Sequence, residues 1–491
     1  MIWVNCDKKA VHIRATSNLL KEIRMQKNIT QLWDSTLIRK HDLSGPRYTS
    51  YPTAPQFQSG FSAASWRHAI DQSNQSKNPL SLYFHIPFCD TVCYYCACNK
   101  IITANKKLAT PYIEALLKEI QLQAAHVDHS RQVDQLHWGG GTPTYLSDGQ
   151  MKILMDATAQ HFNLHGDDSG EYSIEIHPHG VDGTRIKHLR SLGFNRLSMG
   201  IQDFNDDVQA AVNRFNSFEE VKTLIEAARD LQFHSTSIDL IYGLPLQTAE
   251  SFALSLSKVM DLRPDRLSVF NYAHMPHLFK TQKQINAAQL PEPQEKLVML
   301  QQSIETLLEQ GYIYVGMDHF ALPDDALAKA QAQKNLHRNF QGYTTHGSCD
   351  LLSFGVSSIA AFGGYYIQNY KSIDDYYAAI GKDELPINKG IALSDDDKLR
   401  RHVISELICH FAVNFADISK KYSIDFQVYF SKELESLKAL ECDGLLVLSP
   451  TQLVVNDSGR LLIRRICMIF DAYLDQSKKS PHLSPKYSRI I

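Results

Sequence analysis

The chain has 491 residues, 44% of them hydrophobic and 21% charged, with 50 Lys and Arg against 53 Asp and Glu. That balance argues against holding nucleic acid or a membrane surface by bulk charge, and the ordinary composition argues against long disorder. No run of 18 apolar residues is available to span a bilayer and the charged start MIWVNCDKKAVHIR does not suit a secretory signal, so a cytoplasmic protein with no membrane span is expected.

Residues 1–33 contain one weakly amphipathic piece, NLLKEIRM, and are expected to be an N-terminal extension, with Met25 as an alternative start. Next comes SGPRYTSYPTAPQF (44–57), where Pro46, Pro52 and Pro55 exclude a regular helix. A solvated linker is one reading of it; three aromatics and Arg47 weigh towards a docked segment.

From residue 81 strands and helices alternate. Strands are expected at 81–86 (SLYFHI), 134–138 (DQLHW), 171–176 (EYSIEI), 196–200 (RLSMG), 235–241 (STSIDLI) and 266–270 (RLSVF). Between them, Thr110 and Pro111 open a helix, Ser147 with Gln150 and Ser217 with Glu220 form capping boxes, and Gly193 stops a helix over 184–192. Such alternation implies a parallel sheet, either doubly wound or closed towards a barrel, with ligands at the carboxyl ends of the strands. The polar residues fall at that rim: a cysteine loop after the first strand, GGGTP after the second, Glu175 ending the third, Gln202 after the fourth and Asp239 late in the fifth.

Past residue 290 a long helix (293–310) and YIYVGM lead into a second aromatic and basic loop, LHRNFQGYTTHGS. Beyond about Asp395 the helical stretches DDDKLRRHVISELICHF and LLIRRICMIFDAYL flank two short strands, LLVLSP and QLVVN, as in a small helical domain with a wing. Its mixed charge argues against DNA binding.

The stretch YFHIPFCDTVCYYCACNK carries Cys89, Cys93, Cys96 and Cys98 within ten residues. A structural zinc site takes its ligands as separated pairs, whereas three thiolates on one loop suit a 4Fe-4S cluster with one iron left open. An open iron on a reducible cluster is what reductive cleavage of S-adenosylmethionine needs. Gly139 to Thr142 would let backbone approach a ligand, Glu175, Gln202 and Asp239 could hold hydroxyl or amino groups, and Arg214 a carboxylate.

With HWGGGTPTYL, GPRYTSYPT, GMDHFA, LHRNFQGYTT and GRLLIRRICMIFDAYL in the same order, the chain resembles the oxygen-independent coproporphyrinogen III oxidases among the radical S-adenosylmethionine enzymes. The resemblance implies an α/β fold, an incomplete six-stranded (β/α) barrel with an N-terminal covering segment and a mainly helical C-terminal domain. The expected divisions are 1–33 extension, 34–80 covering segment, 81–290 partial barrel, 291–390 barrel extension and active-site loops, and 391–491 C-terminal domain. Carried over residue by residue, it implies Cys89, Cys93 and Cys96 as cluster ligands and Cys98 as characteristic of the family but no ligand. Tyr83, Gly140 and Glu175 would touch one S-adenosylmethionine. A second is implied near Tyr95, Gly141, Thr142, Gln202, Arg214, Asp239, Ala273 and Ile359. Tyr83, Cys98 and Glu175 are the implied catalytic set, and Arg47 and Arg338 are the expected partners of substrate propionates. Where the family favours Phe and Gly, this chain has Tyr95 and Ala97.

The implied reaction converts two propionates of coproporphyrinogen III to the vinyl groups of protoporphyrinogen IX. It implies a monomer and a low-potential electron donor such as flavodoxin and its reductase. The rival reading is a haem-binding chaperone on the same scaffold, which typically lacks the fourth cysteine and GPRYTSYPT.

Overall fold

A computed structural model describes residues 32–474 and 487–490. The expected extension, including NLLKEIRM and Met25, falls almost wholly outside the described residues. Six strands form the centre: β1 (Leu80–Ile86), β2 (Gln132–Gly140), β3 (Glu171–Ile176), β4 (Arg196–Gln202), β5 (Ser235–Tyr242) and β6 (Arg266–Asn271). They pair in chain order and all in parallel. Between or after them run α1 (Ala109–Ala124), α2 (Asp148–His161), α3 (Gly183–Ser191), α4 (Phe218–Asp230), α5 (Ala249–Leu262) and α6 (Pro293–Glu309).

Period-2 alternation explains how this sheet presents a site. In β3 and β4, Tyr172, Ile174, Ile176, Leu197, Met199 and Ile201 are buried, while Ser173, Glu175, Ser198, Gly200 and Gln202 on the other face are only half-buried. Burying each large apolar side chain contributes about 1.5–3 kcal/mol, which fixes the face turned away from the site. A one-residue slip would bury the carboxylates instead, so the pattern also fixes the register.

The sheet continues beyond the six strands. Past β6 come β7 (Ile313–Gly316) and β8 (His319–Ala321), with β8 antiparallel to both β6 and β7. On the other side β1 takes β9 (Asp350–Phe354) in parallel, followed by antiparallel β10 (Ile359–Phe362), β11 (Tyr365–Asn369) and β12 (Ile387–Ala392). Gln58–Ser59 pairs with β12 at one edge, β7 forms the other, and the two edges do not meet. The result is an incomplete barrel with helices outside it, together with a C-terminal, mainly helical region.

Three local expectations differ. The helix expected to be capped by Thr110 starts at Ala109, because the turn Lys106–Leu108 runs directly into it; Pro111 stays within the first turn, where its missing N–H costs nothing. The wing has a third strand, Ala412–Asn414, too short to leave a periodic signal. The stretch expected as one last helix is interrupted: Ile463–Cys467 and the turn Met468–Phe470 are followed by Asp471, which turns to meet the N-terminal segment, before helix resumes over 472–474.

That segment is no linker. Tyr48 and Tyr51 are buried; the Tyr48 hydroxyl donates to Asp471 Oδ2 at 3.0 Å, and the Ala472 N–H donates to Tyr51 Oη at 3.1 Å. Arg464 donates through Nε to the Pro46 carbonyl at 2.9 Å and through Nη1 to the Arg489 and Ile490 carbonyls. Residues 45–51 are thus clamped against the C-terminal helices.

Candidate active site

The cysteine loop leaves β1 and is pinned mostly by groups outside itself. Phe88–Cys89 pairs with Ile101–Ile102, the Tyr94 N–H donates to the Val212 carbonyl at 2.9 Å, and Asn213 Nδ2 donates to Val92 O at 2.8 Å. Gln282, buried, donates through Nε2 to the carbonyls of Tyr95 (3.0 Å) and Ala273 (3.2 Å), and the Thr281 hydroxyl donates to Cys96 O at 3.0 Å. Lys100 Nζ donates to the Cys96 carbonyl at 2.9 Å. Two sulfurs carry outside donors: Thr142 Oγ1 lies 3.5 Å from Cys89 Sγ and Arg214 Nη1 3.6 Å from Cys93 Sγ.

Beside this loop the chain turns at Gly139, Gly140 and Gly141, and each glycine is required by what it faces. A Cβ on Gly139 would meet the Glu175 carboxylate at 2.8 Å, one on Gly141 the Pro87 carbonyl at 2.6 Å, and one on Gly140 the His85 ring at 2.6 Å; Gly140 also has φ +112°. The Gly140 N–H donates to Glu175 Oε2 at 3.1 Å. Burial would raise the Glu175 carboxyl, but the His137 hydrogen bond at 3.2 Å and the Gly140 N–H outweigh it and hold the group below its ordinary value. Tyr83 stacks on His137 with ring centroids 5.8 Å apart, and its hydroxyl meets His85 Nδ1 at 3.1 Å. Burial raises the Tyr83 phenol well above its ordinary value, so it stays neutral.

These groups border a cavity of about 810 Å³ at the carboxyl rim. It brings together Cys89, Cys93, Cys96, Cys98, Tyr95, Gly140, Gly141, Thr142, Glu175, Gln202, Arg214 and Asp239. At Gln202 the register shifts and φ is +74°; its Oε1 and the Nε of Arg214 are buried without partners. Burial pushes Asp239 up to about 7, with a hydrogen bond from Ser268 opposing and Glu175 adding repulsion. Unpartnered buried polar atoms around a roomy cavity fit a polar ligand that completes them. The three thiols and the glycine cradle fit an iron-sulfur cluster with S-adenosylmethionine beside it.

Other expected residues lie around this cavity. Tyr83 sits behind His137; Ala273 borders an adjoining cavity of about 620 Å³ with Arg47, Asn271 and Lys296; Ile359 opens β10 and packs near Phe57 and Tyr366. Arg47 pairs with Asp318 at 3.1 Å and lies over the Phe270 ring. Arg338 lies over the Tyr343 ring, with Nε and Nη1 buried and unpartnered. Arg47 borders the cavity of about 620 Å³ and Arg338 another of about 430 Å³, and both arginines help depress the buried His319, after burial itself. Sequence reasoning missed His137, His177 and Gln282. His137, two residues after Gln135, and His177, two residues after Glu175, could have been found by period-2 alignment; the Nε2 of His177 is unpartnered and burial pushes the ring down to about 3, whereas Gln282 carried no such signal.

The sequence pattern of the Radical SAM superfamily matches residues 83–259 and that of the HemN C-terminal domain matches residues 393–462. The chain is 51% identical to the oxygen-independent coproporphyrinogen III oxidase of Pseudomonas aeruginosa, over 94% of this chain and 99% of that one. It is 48% identical to the protein of that name from Escherichia coli, over 94% and 98%. The solved Escherichia coli coproporphyrinogen III oxidase (HemN), described as a radical SAM enzyme, superposes with a TM-score of 0.86 at 47% identity, covering 90% of this chain and 100% of that one. The chain belongs to the oxygen-independent coproporphyrinogen III oxidase family of radical SAM enzymes, which use a 4Fe-4S cluster and S-adenosylmethionine.

Proposed function

We propose that this enzyme oxidatively decarboxylates two propionates of coproporphyrinogen III to vinyl groups, giving protoporphyrinogen IX in haem biosynthesis without oxygen. The observation that carries the reading is one cavity bordered by Cys89, Cys93, Cys96, the glycine cradle and Glu175, in a chain 51% identical to an oxidase of that name. Held by Cys89, Cys93 and Cys96 and beside the glycine cradle, the cluster and S-adenosylmethionine would supply the one-electron radical chemistry that the reaction requires.

The chain's own residues do the holding and orienting. Cys89, Cys93 and Cys96 hold the cluster. Glu175, kept anionic, accepts from an amino group, Gly140 leaves room for it, and Tyr83 buttresses the His137 ring that fixes Glu175. Tyr95, Gly141, Thr142, Gln202, Arg214, Asp239, Ala273 and Ile359 are assigned to a second S-adenosylmethionine; the unpartnered atoms of Gln202 and Arg214 support this. Cys98, two residues beyond Cys96 and bordering the same cavity, positions Cys96. Arg47 and Arg338 receive propionates. Residues 34–80 cover the site, 81–290 make the barrel, 291–390 extend it and 391–491 close it. The enzyme works as a cytoplasmic monomer fed by a low-potential donor such as flavodoxin and its reductase.

The test is anaerobic reconstitution of the cluster, followed by S-adenosylmethionine, a reductant and coproporphyrinogen III. Tricarboxylic and then dicarboxylic products are expected. Deoxyadenosine without decarboxylation would sink the reading, and stable haem binding in the same preparation would favour a chaperone.

A further inference from the structure

At the amino ends of the strands, away from the cysteine loop, lies a second group of metal-ligating side chains. Asp134, His346 and Cys349 each present a ligand atom, and these atoms lie within 4.8 Å of one another. Asp134 is near the start of β2, six residues before Gly140, which is roughly 20 Å at strand rise. The cluster therefore belongs to neither the cysteine loop nor its cavity.

The local backbone aims the three groups together. Val133 pairs with Leu80 and Gln135 with Ser81, so Asp134 is the extra residue of a bulge. A bulge re-aims the side chain it inserts. The Cys349 N–H donates to the His346 carbonyl at 3.2 Å and the His346 N–H to Thr344 Oγ1 at 3.0 Å, a turn that sets His and Cys three positions apart. Such spacing of imidazole and thiolate is common at zinc. The next residue is anchored: Asp350 pairs with buried Arg131 at 2.6 Å.

The ligand atoms are also uncommitted. Asp350 is paired with Arg131 and Glu171 with Arg196, at 3.1 Å, but the Asp134 carboxylate has a single hydrogen-bond partner among the described residues, His165 Nε2 at 2.9 Å. That bond occupies Oδ1 and leaves Oδ2, an arrangement in which a histidine orients a metal-binding carboxylate from behind. Neither the Cys349 thiol nor the His346 ring makes a hydrogen bond among the described residues; the ring's other neighbour is Glu171 Oε2, at 3.8 Å. All three residues are partly exposed, so an ion can reach them.

We propose that Asp134, His346 and Cys349 bind one zinc-class divalent cation, with water as the fourth ligand. Ligand distances of about 2.0–2.3 Å require ligand atoms roughly 3.3–3.8 Å apart. The cluster must close by about 1 Å, within reach of side-chain rotation. Binding releases the thiol proton and involves no change of oxidation state. The bound ion fixes residues 345–349, which join the strand pair His337–Asn339 and Gly342–Thr344, bearing Arg338, to β9. The site is independent of the reaction proposed above.

The probe is Co²⁺ alone, added to the cluster-loaded protein under anaerobic conditions. One extra equivalent per chain with a thiolate-to-cobalt charge-transfer band is expected, displaced by Zn²⁺. Cys349→Ser should abolish the band with the cluster iron unchanged, and His346→Gln and Asp134→Asn should each weaken binding at least tenfold. Absence of the band in the wild type, or its survival in Cys349→Ser, overturns the proposal. If Cys349→Ser does not fold, alkylation of the wild type decides: Zn²⁺ should slow modification of Cys349 at least tenfold, and an unchanged rate overturns the assignment.

Discussion

Gly140 shows how little freedom the site leaves to a single position. Its φ of +112° lies where a side chain is strained, at a cost of about 1–3 kcal/mol, and a Cβ would also press on the His85 ring. Gly140→Ala is expected to lose at least 100-fold in kcat/KM and to bind S-adenosylmethionine too weakly to detect by calorimetry. Gly149, with nothing within 4 Å of an added Cβ, is the control: Gly149→Ala should keep full activity and gain up to about 1 kcal/mol in its helix. Asp239 makes the opposite point, that a residue proposed for the site can be a burden to the fold. Its folded pKa of about 7 lies above the ordinary 3.8, so its contribution to stability is full below about pH 4 and is lost as pH rises through 7. A shift of that size costs about 4 kcal/mol once the group is charged. Asp239→Asn should therefore raise the melting temperature at pH 8 but much less at pH 5. If the carboxylate receives S-adenosylmethionine, wild-type affinity should fall about tenfold per pH unit below 7, and the Asn variant should be weak at every pH. A wild-type affinity flat from pH 6 to 8 would remove Asp239 from the site.

The loop between β1 and α1 depends on groups brought in from far along the chain. Gln282 makes three bonds, two from Nε2 to the Tyr95 and Ala273 carbonyls and one accepted at Oε1 from the Met275 N–H at 2.6 Å. At about 1 kcal/mol each, removing them frees the backbone between Cys93 and Cys96. Gln282→Ala should lower iron content after reconstitution and shorten the cluster's lifetime in air severalfold, while β1 to β6 keep their far-ultraviolet dichroism. The contrast with the sequence is instructive. That Cys89, Cys93, Cys96, Glu175 and Asp239 border one cavity was legible, because close spacing groups the three thiols and period-2 strands place the two carboxylates at the same rim. Gln282 was not, because a side chain that serves distant carbonyls leaves no local pattern. Much the same holds for β9, a short strand paired with β1 far away in the chain, while β10 to β12 are short strands that pair with their neighbours in sequence. The metal-ligating trio was hidden for a related reason, since Asp134 is re-aimed by a bulge that only pairing with β1 reveals.

At the scale of the molecule, Arg464 ties the N-terminal segment to the C-terminal region. Buried in the C-terminal region, it donates to carbonyls of Gly45, Pro46, Arg489 and Ile490. Burial and the nearby Arg47 push it down to about 10, so it remains charged at neutral pH. Its partners flank Arg47 directly, so the C-terminal region reaches the proposed propionate site through one guanidinium. Arg464→Met keeps most of the volume but removes the donors and leaves several buried carbonyls unpaired, which should cost about 3 kcal/mol or more. If the segment positions Arg47, the variant should show a KM for coproporphyrinogen III raised at least tenfold. Affinity for S-adenosylmethionine should stay the same, because Glu175 and the glycine cradle depend on β2 and β3. Arg47→Ala should give the same split between the two ligands without the loss of stability. A variant that lost both affinities equally would instead mean that Arg464 supports the barrel as a whole, and the covering segment would no longer be assigned to the substrate.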